Sequence, residues 1–277
     1  MLFIMNLLEK KIQLKERTLN VVFCGNGEPI LCLAGFGCDH YIFLSLAREL
    51  SSKFRLIMID NRGMGKSDKT NNSYSIEDLA NDALEVMERL AISKFHVMGI
   101  SMGGFIAQHL VNSGRDKVLS LSLLCTLGLG KEFIPIPLLD DQVLTNFYSA
   151  DPKDVIPAAV GLTTHSSTPK FIISEIIQKR LEHHESLDEA LKQRDAVVDF
   201  FQNSKIEYHK VSCPVLILTG AEDRFVNPKN AFTLGQKFKN SNVIQVSSSD
   251  HYFFMEKPKE VATHLNKFLN QKRESHQ

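Results

Sequence analysis

The fold is decided by one short stretch, Phe95-His96-Val97-Met98-Gly99-Ile100-Ser101-Met102-Gly103-Gly104. It begins as an apolar run typical of a strand, and residues 105–111 continue with the pattern of a helix. Its centre has the form Gly-x-Ser-x-Gly, which marks a strand that turns at once into a helix. Without that strand and helix, the pentapeptide would be equally consistent with an ordinary glycine-rich turn.

The physics of this turn explains its composition. The middle residue is forced into a strained backbone conformation, and a glycine two positions away on either side leaves room for the crossing chain. We therefore expect the Ser101 hydroxyl to stand clear of the backbone at the start of the helix. Free N–H groups and the helix dipole favour developing negative charge at that point.

The composition is that of a globular protein with a large core. The chain has 277 residues, of which 43% are hydrophobic and 23% charged, with 32 basic and 32 acidic residues. This balance does not favour nucleic-acid binding, and the apolar start at residues 1–10 is too short for a signal peptide or a membrane span. Five cysteines occur without a C-x-x-C pair, so we expect buried thiols in a cytoplasmic protein, without disulfides or a zinc site.

Strands and helices alternate along most of the chain. Two short strands are expected at residues 11–15 and 19–23, and six apolar runs have the character of buried strands. These runs lie at residues 29–33, 54–60, 95–100, 118–125, 214–219 and 241–246. The alternation predicts an α/β fold with a mostly parallel central sheet and helices on both faces.

One part of the chain breaks this alternation. Residues 128–208 contain helical patterns but no run that resembles a buried strand. We therefore predict a helical cap at 128–208, inserted into a core domain formed by residues 1–127 and 209–277. Apolar residues near the start of the cap, at 133–139 and at Phe147-Tyr148, are expected either to line a cleft or to pack onto the core.

A serine hydroxyl needs a neighbouring base before it can act as a nucleophile at neutral pH. Histidine suits that role, and a buried carboxylate can orient the imidazole and stabilise its charged form. In this fold class the partners follow later strands in the order serine, acid, histidine. Asp223 follows the strand at 214–219, and His251 follows the strand at 241–246.

Both partners have simpler interpretations. The simpler interpretation of Asp223 is a loop aspartate that caps a helix or pairs with Arg224, and Glu222 is a neighbouring candidate for the acid. Most of the ten histidines are expected on the surface or inside regular elements. Only His251 lies in a loop after a strand late in the chain.

The chain resembles the α/β-hydrolase superfamily, in its esterase and lactonase-like branch with a helical cap. The resemblance covers roughly residues 29–269 and rests on five motifs in the right order. They are Gly35-Phe36-Gly37 after a strand, Asp60-Asn61-Arg62-Gly63-Met64-Gly65-Lys66-Ser67, the stretch Gly99 to Gly104, Gly220-Ala221-Glu222-Asp223, and His251 with Phe253, Glu256 and Pro258.

This resemblance implies roles for five residues. Ser101 would be the nucleophile, His251 the general base and acid, and Asp223 the orienting carboxylate. The backbone N–H groups of Phe36 and Met102 would form the oxyanion hole. Neither a metal ion nor an organic cofactor is implied.

Two positions depart from the family pattern. The family usually has histidine where this chain has Ala34, so a side chain that helps to hold the oxyanion loop is absent. It also usually has glycine before the catalytic histidine, where this chain has Asp250. Both departures concern the geometry of the loops, and Asp250 is a possible competitor for His251.

The loop at residues 60–67 is rich in glycine but is not a phosphate-binding loop. It ends in Gly65-Lys66-Ser67, yet the first glycine of the G-x-x-x-x-G-K-[ST] pattern would fall at Asp60. We predict a structural turn in which Arg62 forms an ion pair. The spacing of His183 and Asp188 resembles an acyltransferase pattern, which we interpret as coincidence.

The resemblance therefore implies hydrolysis of a carboxylic ester, thioester or lactone through an acyl-enzyme on Ser101. The expected substrate is small to medium in size and apolar, and a homodimer is possible. A carrier-bound acyl methyl esterase or a C–C bond hydrolase would use the same three residues. From another class, a non-catalytic ligand-binding protein could also retain them.

Overall fold

The computed structural model describes residues 5–114, 116–137 and 140–270. Leu138 and Leu139, part of the predicted apolar cap segment, lie outside these residues, as do the ends of the predicted core domain at 1–4 and 271–277. Eight strands are present in the described chain. They are β1 (Leu7–Gln13), β2 (Thr18–Cys24), β3 (Glu28–Leu33), β4 (Phe54–Ile59), β5 (Phe95–Ile100), β6 (Val118–Leu124), β7 (Val215–Gly220) and β8 (Ser241–Val246).

These strands form one sheet in the order β1-β2-β4-β3-β5-β6-β7-β8. Strands β3 to β8 pair in parallel, whereas β1 and β2 pair antiparallel with each other and β2 pairs antiparallel with β4. The predicted mostly parallel sheet is confirmed. Because parallel strands share one carboxyl edge, the loops after β3, β5, β7 and β8 meet along the same rim.

Ten α-helices accompany the strands in the described residues. They are α1 (Leu44–Leu50), α2 (Ile76–Arg89), α3 (Met102–Ser113), α4 (Asp141–Ser149), α5 (Pro152–Thr163), α6 (Lys170–Glu182), α7 (Leu187–Asn203), α8 (Lys229–Lys237), α9 (Phe253–Glu256) and α10 (Pro258–Asn270). The four helices α4 to α7, here called the inserted helices, all lie between β6 and β7 in the chain. This is where the sequence predicts a cap, although its status as a separate domain stays a prediction.

The core lies on both faces of the sheet, because most side chains of its central strands are buried whichever face they point to. Leu31 and Leu33 pack into a cluster with α2, α3 and α7, while Ile30 and Cys32 pack into a second cluster with α1 and α10. This alternation explains the continuous apolar runs in the sequence. Helix α2 begins with a reciprocal capping box between Ser75 and Asp78.

The first strand differs from the prediction. It runs from Leu7 to Gln13 and not from residue 11 to 15, and nearly all of its residues are exposed. A strand at the edge of the sheet pairs on one side only, so its alternation does not reflect burial against a core.

All five cysteines are buried. No helix in the described part of the chain is long and apolar enough to cross a bilayer.

Candidate active site

Ser101 lies at the junction between β5 and α3 with φ of 54° and ψ of −119°. Its N–H donates to the carbonyl of Leu124 at 2.9 Å, and its own carbonyl accepts from the N–H of Gly104 at 2.8 Å. The positive φ is rare for a residue with a side chain and costs on the order of 1–3 kcal/mol. The tight turn predicted from the Gly-x-Ser-x-Gly pattern is therefore present.

The two glycines of the turn are required by close backbone contacts. A Cβ added at Gly103 would overlap the carbonyl of Leu33, and one added at Gly99 would overlap the carbonyl of Gly103. Helix α3 thus crosses over β3 and β5 at a distance that no larger residue allows. We call residues 99–103 the elbow.

Asp223 and His251 meet at the carboxyl edge of the sheet. Nδ1 of His251 lies 2.9 Å from Oδ2 of Asp223, and both side chains are buried. The other carboxylate oxygen, Oδ1, accepts from the N–H groups of Phe225 at 2.9 Å and Val226 at 2.8 Å. A carboxylate held in this way fixes the proton of the imidazole on Nδ1 and leaves Nε2 as an acceptor.

The rival carboxylates have other partners. Oε2 of Glu222 lies 2.7 Å from Nε2 of His165. Asp250 accepts from Arg224 through the arginine N–H at 2.9 Å and Nε at 2.5 Å. Arg224 therefore pairs with Asp250 and not with Asp223, and Asp250 does not take the imidazole of His251.

Ser101 and His251 line one cavity of about 280 Å³. Gly35 borders it so closely that a Cβ there would lie 3.9 Å from the hydroxyl oxygen of Ser101. The rest of the wall is mainly apolar, and almost half of its residues come from the inserted helices α4 and α5. These two helices contribute Val143, Leu144, Phe147, Tyr148, Ala159, Leu162 and Thr163.

The predicted oxyanion residues flank Ser101. Met102 is the first residue of α3, and Phe36 follows β3 and lines the cavity. Neither N–H takes part in the loop and turn hydrogen bonds between backbone groups of the described chain. Their role as an oxyanion hole stays a prediction.

The loop at residues 34–39 is held by side chains from distant parts of the chain. The N–H of Gly37 donates to Oε1 of Gln193, in α7, at 2.7 Å, and Gln193 is fully buried. Nδ1 of His183 lies 2.7 Å from Oδ2 of Asp39. These contacts hold the loop although Ala34 lacks the hydrogen-bonding side chain that the family pattern would place there.

Asp60 binds His40, the residue that follows the loop at 34–39. Its Oδ1 accepts from the N–H of His40 at 3.0 Å and lies 2.8 Å from the imidazole Nδ1. Oδ2 accepts from Asn20 at 2.9 Å and from the N–H of Lys66 at 3.1 Å. Asp39, His40 and Asp60 bring possible metal-ligand atoms within 4.8 Å of one another, but these hydrogen bonds already use several of the same atoms.

The contact between His40 and Asp60 shifts the pKa of each side chain. Burial lowers the pKa of His40, but the hydrogen bond and attraction to Asp60 outweigh burial and raise that pKa above its ordinary value. Burial raises the pKa of the Asp60 carboxyl, and its hydrogen bonds and attraction to His40 outweigh this and lower it. The pair is thus favoured in its charged form.

Two further sequence predictions are confirmed around this site. Arg62 makes a bidentate ion pair with Asp82, through Nε at 2.7 Å and Nη2 at 2.8 Å. His183 does not contact Asp188, which pairs instead with Lys192 at 2.6 Å. The loop at 60–67 is therefore a structural turn.

The apolar residues predicted near the start of the cap divide between the two alternatives. Phe147 and Tyr148 line the cavity with Ser101. Phe133 and Ile136 instead pack onto the core cluster that contains residues of α3 and α7. Sequence reasoning missed the contribution of Gln193, because no motif marks it. It offered Lys170, Lys179 and Arg180 as basic residues near the cleft without deciding among them, and of these Arg180 lines the cavity.

A family model described as alpha/beta hydrolase fold matches residues 28–258. The chain belongs to the α/β-hydrolase family. This hydrolase is 26% identical over 266 residues to the AB hydrolase superfamily protein YisY of Bacillus subtilis, a match that covers 91% of this chain and 96% of that protein.

Two other comparisons bear on the fold. The hydrolase is 25% identical over 248 residues to the dihydrolipoyllysine-residue acetyltransferase component of the acetoin cleaving system of Pseudomonas putida, covering 88% of this chain but only 64% of that protein. A thermophilic esterase from Thermogutta terrifontis superposes with a TM-score of 0.78 at 22% identity, covering 95% of this chain and 98% of the esterase. The predicted family, fold and hydrolase class are confirmed.

Proposed function

We propose that this protein is a serine hydrolase that cleaves a carboxylic ester, thioester or lactone through an acyl-enzyme on Ser101. One observation carries the proposal: the buried hydrogen bond of 2.9 Å between His251 and Asp223 borders the same cavity as the strained Ser101. Nucleophile, base and orienting acid come from three separate loops at one rim of the sheet. The esterase among its structural neighbours is in keeping with this chemistry.

In the acylation step, the Ser101 oxygen attacks the substrate carbonyl while Nε2 of His251 accepts the hydroxyl proton. Asp223 stabilises the imidazolium that forms, because its charge is fixed beside Nδ1. The carbonyl oxygen becomes an oxyanion, which the N–H groups of Phe36 and Met102 bind. Each such donor is worth about 3–4 kcal/mol of barrier in other hydrolases.

The tetrahedral intermediate then collapses. His251 gives its proton to the leaving alcohol, thiol or lactone oxygen, and the acyl group stays on Ser101. In the second half, His251 accepts a proton from water, the hydroxide attacks the acyl carbon, and the serine leaves with the proton that His251 returns. The products are a carboxylic acid and an alcohol or thiol, or a hydroxy acid from a lactone.

The cavity supports a small to medium substrate with apolar groups. Its volume of about 280 Å³ is slightly below the range of about 300–1,000 Å³ that is usual for small-molecule sites. The side chains of Leu144, Phe147 and Leu162 offer an apolar surface from the inserted helices. Burial of the matching groups on the substrate would supply binding energy.

Replacement of the nucleophile tests the mechanism. We expect Ser101→Ala to abolish turnover of p-nitrophenyl butyrate and labelling by a fluorophosphonate probe, while the protein stays folded by circular dichroism. Asp223→Asn should lower kcat by about 10⁴-fold. Its matched control is Glu222→Gln, a neighbouring carboxylate that contacts His165 and should leave kcat nearly unchanged.

Two outcomes would refute the proposal. Retained turnover in Ser101→Ala would place the reaction elsewhere, and an unlabelled wild-type serine would favour the non-catalytic ligand-binding alternative. A larger loss of kcat in Glu222→Gln than in Asp223→Asn would identify Glu222 as the orienting acid in place of Asp223.

A further inference from the structure

The mainly apolar cavity contains one permanently charged side chain. Arg180, near the end of α6, lines it together with Ser101 and His251. No lysine, aspartate, glutamate or second arginine borders the cavity in the described residues. Arg180 is partly buried, and a guanidinium against apolar walls loses part of its favourable hydration, so its position calls for a compensating partner.

The protein itself supplies only a weak partner. Nη1 of Arg180 donates to the hydroxyl of Tyr252 at 3.1 Å, and no carboxylate of the described chain lies within 4.0 Å of the guanidinium. Six other arginines do have a carboxylate within that distance. They are Arg17, Arg48, Arg62, Arg89, Arg194 and Arg224. Arg180 thus differs from most arginines of this chain.

The groups around Arg180 remain neutral near pH 7. Burial raises the pKa of Tyr148 and of Tyr252 to about 12. Burial also raises the pKa of Tyr41 and of the Cys38 thiol. None of these side chains supplies a negative charge that would balance the guanidinium.

We propose that Arg180 binds a carboxylate carried by the substrate, so that the preferred ester or lactone has an apolar body and one negatively charged end. This inference rests on the proposed function and names the substrate class within it. A planar carboxylate accepts two parallel hydrogen bonds from a guanidinium, and such pairs are stronger than bonds between neutral groups. The single bond to Tyr252 leaves other N–H donors of Arg180 for this contact.

A purely structural role is the rival explanation. The bond between Arg180 and Tyr252 ties α6 to the segment that follows His251, and its loss would lower stability. A structural role would not make the enzyme distinguish a charged ester from a neutral one. The preference between matched esters therefore separates the two explanations.

Two pairs of esters test this preference. In the first pair, p-nitrophenyl hemiglutarate has a free carboxylate on the acyl side, and p-nitrophenyl methyl glutarate has the same carboxylate masked. In the second, 4-(butyryloxy)benzoate has its carboxylate on the leaving-group side and is compared with its methyl ester. The wild-type enzyme should show the higher kcat/KM for the charged member of at least one pair.

Substitution of Arg180 should remove this preference. In Arg180→Met, kcat/KM for the preferred charged ester should fall about 10- to 100-fold, mainly through KM, while the masked ester changes little. Arg180→Lys should restore part of the loss because it keeps the charge. Arg48→Met is the matched control, since Arg48 of α1 pairs on the surface, at 3.2 Å, with Glu175 of α6, the helix that carries Arg180.

The results separate this inference from the proposed function. Turnover of the masked esters with an unchanged charged-to-masked ratio in Arg180→Met would overturn the role of Arg180 and leave the serine mechanism intact. A wild-type enzyme that prefers both masked esters would do the same. If no ester is turned over, calorimetric binding of monomethyl glutarate to Ser101→Ala, with and without Arg180→Met, decides whether the contact exists.

Discussion

The elbow at residues 99–103 and the loop at residues 34–39 lie on opposite sides of the same reactive hydroxyl, and they are held in different ways. The elbow is fixed by backbone contacts within the sheet and by glycines that are part of its own motif. The loop depends on Gln193 and His183, which lie more than 140 residues further along the chain. One element is therefore stabilised by the core, and the other by the inserted helices.

The difference suggests how the two halves of the site respond to change. A substitution in the elbow disturbs the crossing of α3 over the sheet and so affects the whole fold. A substitution that removes a contact of the loop at 34–39 changes the position of Phe36 but leaves the two core clusters in place. We therefore expect substitutions in the elbow to lower the free energy of unfolding most, and substitutions in either region to lower kcat.

The largest effect should come from filling the elbow. Gly103→Ala places a methyl group against the carbonyl of Leu33, and the backbone cannot yield without moving α3. We expect a loss of about 3 kcal/mol in the free energy of unfolding by urea, together with loss of ester turnover. The control is Gly161→Ala, because a Cβ there meets no atom within 4 Å.

Gly161→Ala should stabilise the protein slightly, by about 0.5–1 kcal/mol. Gly161 lies within a helix of the folded protein, and alanine has fewer conformations than glycine in the unfolded chain, so folding costs less entropy. Wild-type stability and activity in Gly103→Ala would show that the elbow does not depend on close backbone contact.

A smaller effect should come from the loop. Gln193→Ala removes the acceptor of the Gly37 N–H, which lies at 2.7 Å, and leaves that donor without its partner. We expect a loss of about 1–3 kcal/mol in unfolding free energy and a fall in kcat of about tenfold, because Phe36 is no longer held. Steady-state kinetics below the unfolding transition, with a fluorophosphonate titration of active sites, measures the change in kcat.

An exposed glutamine offers the matched control. Gln178 in α6 bonds only to Glu182, at 2.9 Å, so Gln178→Ala should leave both kcat and stability close to the wild type. If Gln193→Ala loses stability but keeps its full kcat, the inserted helices do not position the loop for catalysis.

The smallest effect should be a pH dependence from His40 and Asp60, which hold the neighbouring segment. Because the pKa of His40 is raised, its charged pair adds stability that is complete below the unfolded pKa near 6.5 and is lost as the pH rises through the folded pKa. The lowered pKa of Asp60 means that its contribution is present above the unfolded pKa near 4 and is lost as the pH falls through the folded value.

His40→Gln should remove the first of these dependences. The difference in unfolding free energy between wild type and variant should be greatest near pH 5.5 and decline by about 1 kcal/mol or less towards pH 8.5. His209→Gln, at an exposed histidine, should show no such trend. A difference that grows with pH would contradict the assigned charge of the pair.

Much of the site was predictable because its signals are local. Ser101 lies in a pentapeptide whose glycines and flanking pattern predict the turn, and Asp223 and His251 each follow an apolar strand at the expected point. The alternation of strands and helices likewise predicts a parallel sheet. The start of β1 was wrong because an exposed edge strand has no burial pattern to read.

Other features could not be read in this way. Asp250 is adjacent to His251 in sequence, yet it turns to Arg224, which is anchored by the carbonyl of Thr164 at 2.9 Å. Gln193 and Arg180 look like ordinary polar residues of amphipathic helices. Their roles depend on which face of α6 and α7 turns towards the sheet.

The sequence by itself determined the order of the elements, the elbow and the positions at strand ends where reactive side chains should occur, because backbone strain and hydrophobic periodicity act over a few residues. Only the tertiary structure decided that Glu222 and Asp250 pair away from His251, that Gln193 replaces a missing loop contact, and that Arg180 lies unpaired by any described carboxylate in an apolar cavity. These outcomes depend on distances between segments far apart in the chain. Such distances follow from packing of the whole molecule, which no local pattern records.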